Sequence, residues 1–157
     1  MLDEQTKKQF EDALASGRLK ELCDQMRAEG RSQVAIYERF SEFFEFLGNS
    51  DRKTDYDALA SSLECIVGWC APGARWFDHY LTNEEIYAHQ CGLTEKEIRE
   101  IAALVNGPEE FFCTIRKEQS GELEVTTFTV EAGTYRKGRK LIVRKGTSGW
   151  LIAGEGQ

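Results

Sequence analysis

Residues 108–152 read PEEFFCTIRKEQSGELEVTTFTVEAGTYRKGRKLIVRKGTSGWLI. Before Pro108 the apolar residues recur at helical spacing; after it they recur at every second position. Phe111, Cys113 and Ile115 alternate with Phe112, Thr114 and Arg116. Gln119-Ser120-Gly121, Glu131-Ala132-Gly133 and Gly146-Thr147-Ser148-Gly149 supply turn residues between the runs. Leu123 and Val125 share one face, whereas Phe128 and Val130 share the other. That change of phase predicts a bulge near Thr126–Thr127, or a strand covered on both faces. Tyr135, Leu141 and Val143 have the same parity, with Lys137-Gly138-Arg139 as an interruption, and Trp150-Leu151-Ile152 forms the last run. The pattern predicts a three- or four-stranded antiparallel β-meander.

Upstream, the spacing predicts five or six helices. Phe10, Ala13 and Leu14 line the first, which ends at Gly17. Leu19, Leu22, Cys23 and Met26 line the second, which ends at Gly30. Ser32 is the expected N-cap of a third, with Ile36, Tyr37, Phe40, Phe43, Phe44 and Leu47 as its stripe and Gly48-Asn49 as its stop. Thr54 and Asp57 suggest a cap for a fourth, lined by Leu59, Leu63, Ile66, Val67 and Cys70 and broken at Ala71-Pro72-Gly73. Residues 71–82 form an aromatic-rich connection. Thr82 with Glu85, and Thr94 with Glu97, have capping-box spacing. Ile98, Ile101, Ala102 and Val105 line the last helix before Gly107-Pro108. The expected fold class is α+β: a helical part over 1–107 and a sheet part over 108–157, packed as one domain.

The chain has 157 residues, 41% apolar and 30% charged, with a formal charge of −7. That length suits a real core without staples. Composition excludes a collagen-like, low-complexity or disulfide-rich protein. No apolar run has membrane-spanning length. The five cysteines, Cys23, Cys65, Cys70, Cys91 and Cys113, are scattered and odd in number, which fits reduced thiols. Met1-Leu2-Asp3-Glu4-Gln5 lacks the basic start and apolar segment of a signal peptide, so a cytoplasmic location is expected.

Charge is unevenly distributed. Residues 1–107 hold 20 acidic and 12 basic side chains; residues 132–149 hold six bases and no acid. The six are Arg136, Lys137, Arg139, Lys140, Arg144 and Lys145, a candidate nucleic-acid contact with Tyr135 as its one evident aromatic neighbour. They also suit a charged strand edge that discourages pairing between molecules. The Glu84–Ala103 segment carries the small residue, turn glycine and aliphatic of a helix-turn-helix at Ala88, Gly92 and Ile98. Glu95, Lys96, Glu97, Arg99 and Glu100 on its second helix are unsuited to a groove lined by phosphates. Zinc would require four of Cys65, Cys70, His79, His89 and Cys91 to converge, and their spacing is not that of a zinc finger. A Cys–His nucleophile built from Cys65 or Cys70 with His79 would put a thiolate at the negative end of a helix. Phosphate-binding and dinucleotide-binding glycine patterns and a Gly-x-Ser-x-Gly elbow are absent. No catalytic residue, metal or cofactor is assigned.

The run Lys140–Arg144, a glycine-containing turn and Trp150-Leu151-Ile152 resembles the last hairpin of the nuclear transport factor 2 superfamily over about the final third of the chain. That resemblance implies a cone with a small-ligand pocket between helices and sheet, here near Trp76 and Tyr80. Six helices before the sheet exceed the three usual in that superfamily, and the strand expected between its early helices is not evident.

The sequence supports first a non-enzymatic, cytoplasmic protein that acts by binding another protein. A concrete form is an immunity- or antitoxin-like inhibitor that blocks a cationic toxin through Glu84, Glu85, Glu95, Glu97 and Glu100, with Trp76 and Tyr80 as anchors. Nucleic-acid binding through the helix-turn-helix-like hairpin and the basic β-hairpin stands second, and the pocket protein third. No membrane partner is expected, and the sequence leaves the oligomeric state open.

Overall fold

The computed structural model describes residues 2–48 and 50–156. Among them the chain forms six α-helices followed by a four-stranded antiparallel sheet, an α+β architecture. It divides into two compact units, Met1–Thr82 and Asn83–Gln157. Residues 83–107, which periodicity groups with the helical part, gather with the sheet.

The first unit contains α1 (Glu4–Ser16), α2 (Leu19–Ala28), α3 (Gln33–Leu47) and α4 (Lys53–Val67). Asp3 caps α1, its carboxylate accepting from Thr6 N at 2.7 Å; Ser32 caps α3 as the sequence predicts. The predicted stripes meet in one core. Phe10 stacks on Phe43 with ring centroids 4.7 Å apart and meets Phe40 edge-on at 4.9 Å. All three rings are fully buried, with Ile36, Leu59 and Ile66 beside them.

Two expectations for α4 change. The helix begins at Lys53, so Thr54 lies inside its first turn and does not cap it. Arg52 stands at the N-cap position instead. Its guanidinium donates to both Glu11 carboxylate oxygens at 2.7 and 2.6 Å and to Asp55 at 2.7 Å, tying α4 to α1. The helix stops at Val67 because Gly68 turns left-handed, its N–H bonding Glu64 O at 2.8 Å. Cys70 therefore lies beyond the helix, and Pro72–Ala74 forms a short 3₁₀ turn. Gln33 closes this end: its amide donates to Ile66 O and His79 O, each at 2.8 Å. The stop expected at Gly48-Asn49 falls partly outside the described residues; Gly48 keeps right-handed backbone angles.

The second unit contains α5 (Asn83–Cys91), α6 (Glu95–Val105), β1 (Glu110–Lys117), β2 (Leu123–Glu131), β3 (Thr134–Gly146) and β4 (Gly149–Glu155). The strands pair in sequence order. Thr94 and Glu97 form the predicted capping box on α6. Ala88, Cys91, Ile98, Ile101 and Val105 from the helices form one core with Ile115, Leu123, Val125, Leu141 and Val143 from the sheet. Between β2 and β3, Ala132 and Gly133 both adopt positive φ (48° and 77°), giving a two-residue turn of the hand that suits the sheet twist. No described helix is long and apolar enough to cross a membrane.

Truncating Phe40 to alanine removes the ring at the centre of the first core and is expected to cost about 3–5 kcal/mol. Trp69 and Trp76 fluorescence during urea unfolding measures it; a loss below about 1 kcal/mol would contradict this packing. Replacing Ala132 by glycine relieves the left-handed backbone and is expected to add up to about 1 kcal/mol to the stability of the second unit. Trp150 emission during urea unfolding reads that change.

Candidate binding surface

Which side chains face the core of the second unit is decided by three register shifts. A strand alternates its side chains between faces, so one extra residue on one strand exchanges the faces beyond it. On β1, Phe112 pairs with Thr127 and Thr114 with Thr126, leaving Cys113 as the extra residue. On β3, Thr126 pairs with Lys140 and Phe128 with Lys137, so Gly138 and Arg139 together oppose Thr127. On β4, Val143 pairs with Ile152 and Ile142 with Gly154, leaving Ala153 extra.

The consequences run through all four strands. Residues opposite each other share a face. Phe112, Ile115, Leu123, Val125, Thr127, Leu141, Val143 and Trp150 face α5 and α6. The opposite face carries Phe111, Thr114 and Arg116 from β1, and Glu124, Thr126, Phe128 and Val130 from β2. From β3 it carries Tyr135, Lys137, Lys140, Ile142 and Arg144, and from β4 Leu151. The sequence alternation puts Phe111, Cys113 and Ile115 together; the bulge at Cys113 separates them, so Phe111 and Ile115 point to opposite sides. The strand expected to slip near Thr126–Thr127, β2, alternates without a break and carries apolar residues on both faces, while the extra residue opposite Thr127 is on β3. Without it, Tyr135 and Lys137 would share the core face with Leu141 and Val143.

The β3 bulge is held by a polar cluster. The Thr127 hydroxyl, 1% exposed, donates to Glu110 Oε1 at 2.6 Å and accepts from Arg139 N at 2.9 Å. The Arg139 guanidinium donates to both Glu110 oxygens at 2.9 and 2.8 Å and to Glu155 at 3.0 Å. One arginine thus joins β1, β3 and β4. The guanidinium fork, with the Thr127 hydroxyl, holds the Glu110 carboxyl down at about 2. Gly138 is required by space: a Cβ there would lie 2.3 Å from Thr127 Oγ1 and 2.9 Å from its backbone carbonyl carbon.

Three aromatic rings meet on the face away from α5 and α6. Phe128 stacks on Phe111 at a centroid distance of 5.4 Å and touches Tyr135 at 5.4 Å on its other side. Phe111 is 36% exposed and Tyr135 75%. Lys137 lies opposite Phe128. Arg116, Lys137, Lys140 and Arg144 give the face four cations; Glu124 pairs with Arg116 at 3.2 Å and Lys140 at 3.7 Å, and Glu118, just beyond β1, pairs with Arg116 at 2.9 Å. Lys137 and Arg144 make no ion pair among the described residues.

The other sequence candidates lie as follows. Of the six basic residues of 136–145, Lys137, Lys140 and Arg144 occupy the aromatic face. Arg136 pairs with Glu131 at 3.3 Å, and Arg139 belongs to the bulge cluster. Lys145 pairs with Glu97 at 2.8 Å and lies over the Trp150 ring at 5.6 Å. Glu97 is further engaged in its capping box, and Glu100 pairs with Lys96 at 3.7 Å. Glu84 and Glu85 lie in the first turn of α5 and Glu95 at the start of α6, where acidic groups suit the helix dipole. Ala88 and Ile98 are buried and Gly92 has positive φ, as a helix-turn-helix requires. The outward side of α6 carries Glu95, Lys96, Arg99 and Glu100, with no cationic excess.

Trp76 and Tyr80 belong to the first unit. Trp76 packs half-buried against Phe40, and Tyr80 is exposed, its hydroxyl accepting from Trp69 Nε1. Trp76 lines an open groove of about 320 Å³ with residues of α2 and α4, including Leu19, Ala58 and Ser62. Burial pushes the Cys23 and Cys65 thiols up to about 11, Cys65 also through its neighbour Cys70. Those values oppose thiolate chemistry at neutral pH. Among the described residues no three His, Cys, Asp or Glu side chains gather as a metal site.

Sequence reading missed Phe111, Phe128 and Arg116 as surface partners of the basic strand. The usable signal was the change of phase at 126–127, which marks where outward residues become aromatic. No family model matches the chain, and neither a curated protein nor a solved structure matches it.

The Glu110 carboxyl titrates near 2 in the folded protein, below its ordinary 4.5. It therefore stabilises the fold above about pH 4.5, and that contribution drains away as the pH falls toward 2. Glu110→Gln is expected to lose less stability than the parent between about pH 5 and pH 2 in acid unfolding. Equal losses would contradict the cluster.

Proposed function

We propose that the protein is a non-enzymatic binding protein whose second unit takes nucleic acid on the aromatic, basic face of its sheet. The observation that carries this reading is the three-ring array of Phe111, Phe128 and Tyr135 on the same face as Arg116, Lys137, Lys140 and Arg144. An exposed aromatic cluster of this kind marks a contact site on a soluble domain. Cations around it favour a polyanion that also offers planar groups. Net charge does not oppose this locally. Residues 83–157 hold 12 acids and 10 bases, and four of the bases lie on one face of the strands, where Glu124 is the one strand carboxylate. The helix-turn-helix route is the weaker version, because α6 turns outward as many carboxylates as cations.

Fluorescence anisotropy with a labelled oligonucleotide, titrated at several salt concentrations, tests the reading. The parent protein is expected to bind at about 50 mM salt with a clear negative slope of log K against log salt. Substituting Lys137, Lys140 and Arg144 together by glutamine is expected to reduce that slope by about 2, from three lost phosphate contacts. Substituting Lys96 and Arg99 is expected to leave it unchanged. No binding at low salt would contradict the reading.

A protein-binding role remains the second reading, in its immunity- or antitoxin-like form against a cationic partner. One observation favours it: α5 and α6 carry five carboxylates, Glu84, Glu85, Glu95, Glu97 and Glu100, against the two cations Lys96 and Arg99. On this reading, charge reversal across Glu84, Glu85, Glu95, Glu97 and Glu100 weakens capture of the partner. Unchanged affinity would remove the acidic-surface form.

A further inference from the structure

We infer that the strand bound on this face is unpaired, its successive bases stacking on Tyr135 and Phe128 while its phosphates follow the row Lys137, Lys140 and Arg144. The inference rests on the nucleic-acid reading and narrows it to a substrate class. Phe111, Phe128 and Tyr135 come from three adjacent strands, so the rings form a line across the sheet. The phenol of Tyr135 stands at one end of that line, 75% exposed, with Phe128 on its inner side. A duplex presents sugar and phosphate outward and keeps its base faces stacked inside, so it would leave this ring exposed. An unpaired strand offers those faces, and stacking on aromatic side chains accepts any base.

The cations are placed to accompany such a strand. Lys137 lies two residues beyond Tyr135 on the same face, opposite Phe128, and from there the row runs about 20 Å along β3 to Arg144. Thr114 and Thr126, paired between β1 and β2 on this face, add hydroxyls within the same field. The left-handed turn at Ala132-Gly133 and the bulge at Gly138–Arg139 fix both ends of the β3 segment carrying Tyr135 and Lys137. The backbone that carries the ring is therefore set before ligand arrives.

Anisotropy on the full chain distinguishes the possibilities with four probes: labelled oligouridylate and oligothymidylate 12-mers, a hairpin duplex of equal charge, and polyglutamate as competitor. Both single strands are expected to bind, with the duplex about tenfold weaker or more. Tyr135→Ala is expected to weaken single-strand binding about 5- to 100-fold, whereas Tyr135→Phe, which keeps the ring, stays within about twofold. Binding of one single strand alone would still support stacking and assign a preference between the two, which differ in the 2′-hydroxyl and the C5 methyl. Duplex binding equal to single-strand binding, with Tyr135→Ala unaffected, would overturn the stacking inference and leave the basic-face reading intact. Failure of every oligonucleotide at low salt would overturn both. Competition by polyglutamate as effective as that of oligouridylate would overturn the inference in favour of an acidic protein partner.

Discussion

The hydrogen bond from Arg139 N to the Thr127 hydroxyl, 2.9 Å long and part-buried between β2 and β3, holds the bulge on which the second unit depends. Two residues of β3 pass where β2 supplies one, and the faces of β3 exchange at that point. On one side of it, Leu141 and Val143 enter the core; on the other, Tyr135 and Lys137 leave it. A straight strand with the same sequence would turn Tyr135 and Lys137 to the helix side, away from Phe128, or expose the leucine and valine. Gly138 provides the space, and Glu110 and Glu155 hold the guanidinium that follows it.

The same device divides the labour of the sheet. One face supplies the apolar area that stabilises the unit against α5 and α6. The other contributes little to that core and carries three rings at one end, with Lys137 beside them and Lys140, Arg116 and Arg144 farther along the sheet. Such a surface fits an anionic ligand with planar groups, and its rigidity comes from the bulge cluster and the tight turn. The helical hairpin, by contrast, has its charges largely engaged. Glu97 serves its cap and Lys145, and Glu100 pairs with Lys96, which reduces what that surface can offer a cationic partner.

Much of the fold was legible because helical periodicity averages over many residues. The stripes at Ile36–Leu47 and Leu59–Val67 and the capping box at Thr94 appear where spacing puts them. Thr54 misled because its competitor, Arg52, acts through Glu11, a residue distant in sequence. The bulge at Cys113 left no trace, since Phe111 and Phe112 satisfy either phase of the strand. The phase change at Thr126–Thr127 did leave one, but it could not say which strand holds the extra residue. The ring cluster was invisible for a plainer reason. Phe111, Phe128 and Tyr135 lie on three strands and meet only once antiparallel register is fixed. Tyr135 among its cations was visible; its aromatic neighbours were not.

The central claim is that the sheet face away from α5 and α6 is the working surface. Backbone and aromatic NMR shifts of the full chain, followed during titration with an unlabelled oligouridylate 12-mer, test it most directly. The account predicts changes concentrated at Phe111, Phe128, Tyr135, Lys137 and Lys140, with Ile98 and Ile101 in the core unmoved. Changes confined to the outward side of α6, at Lys96 and Arg99, or none at any residue, would contradict it.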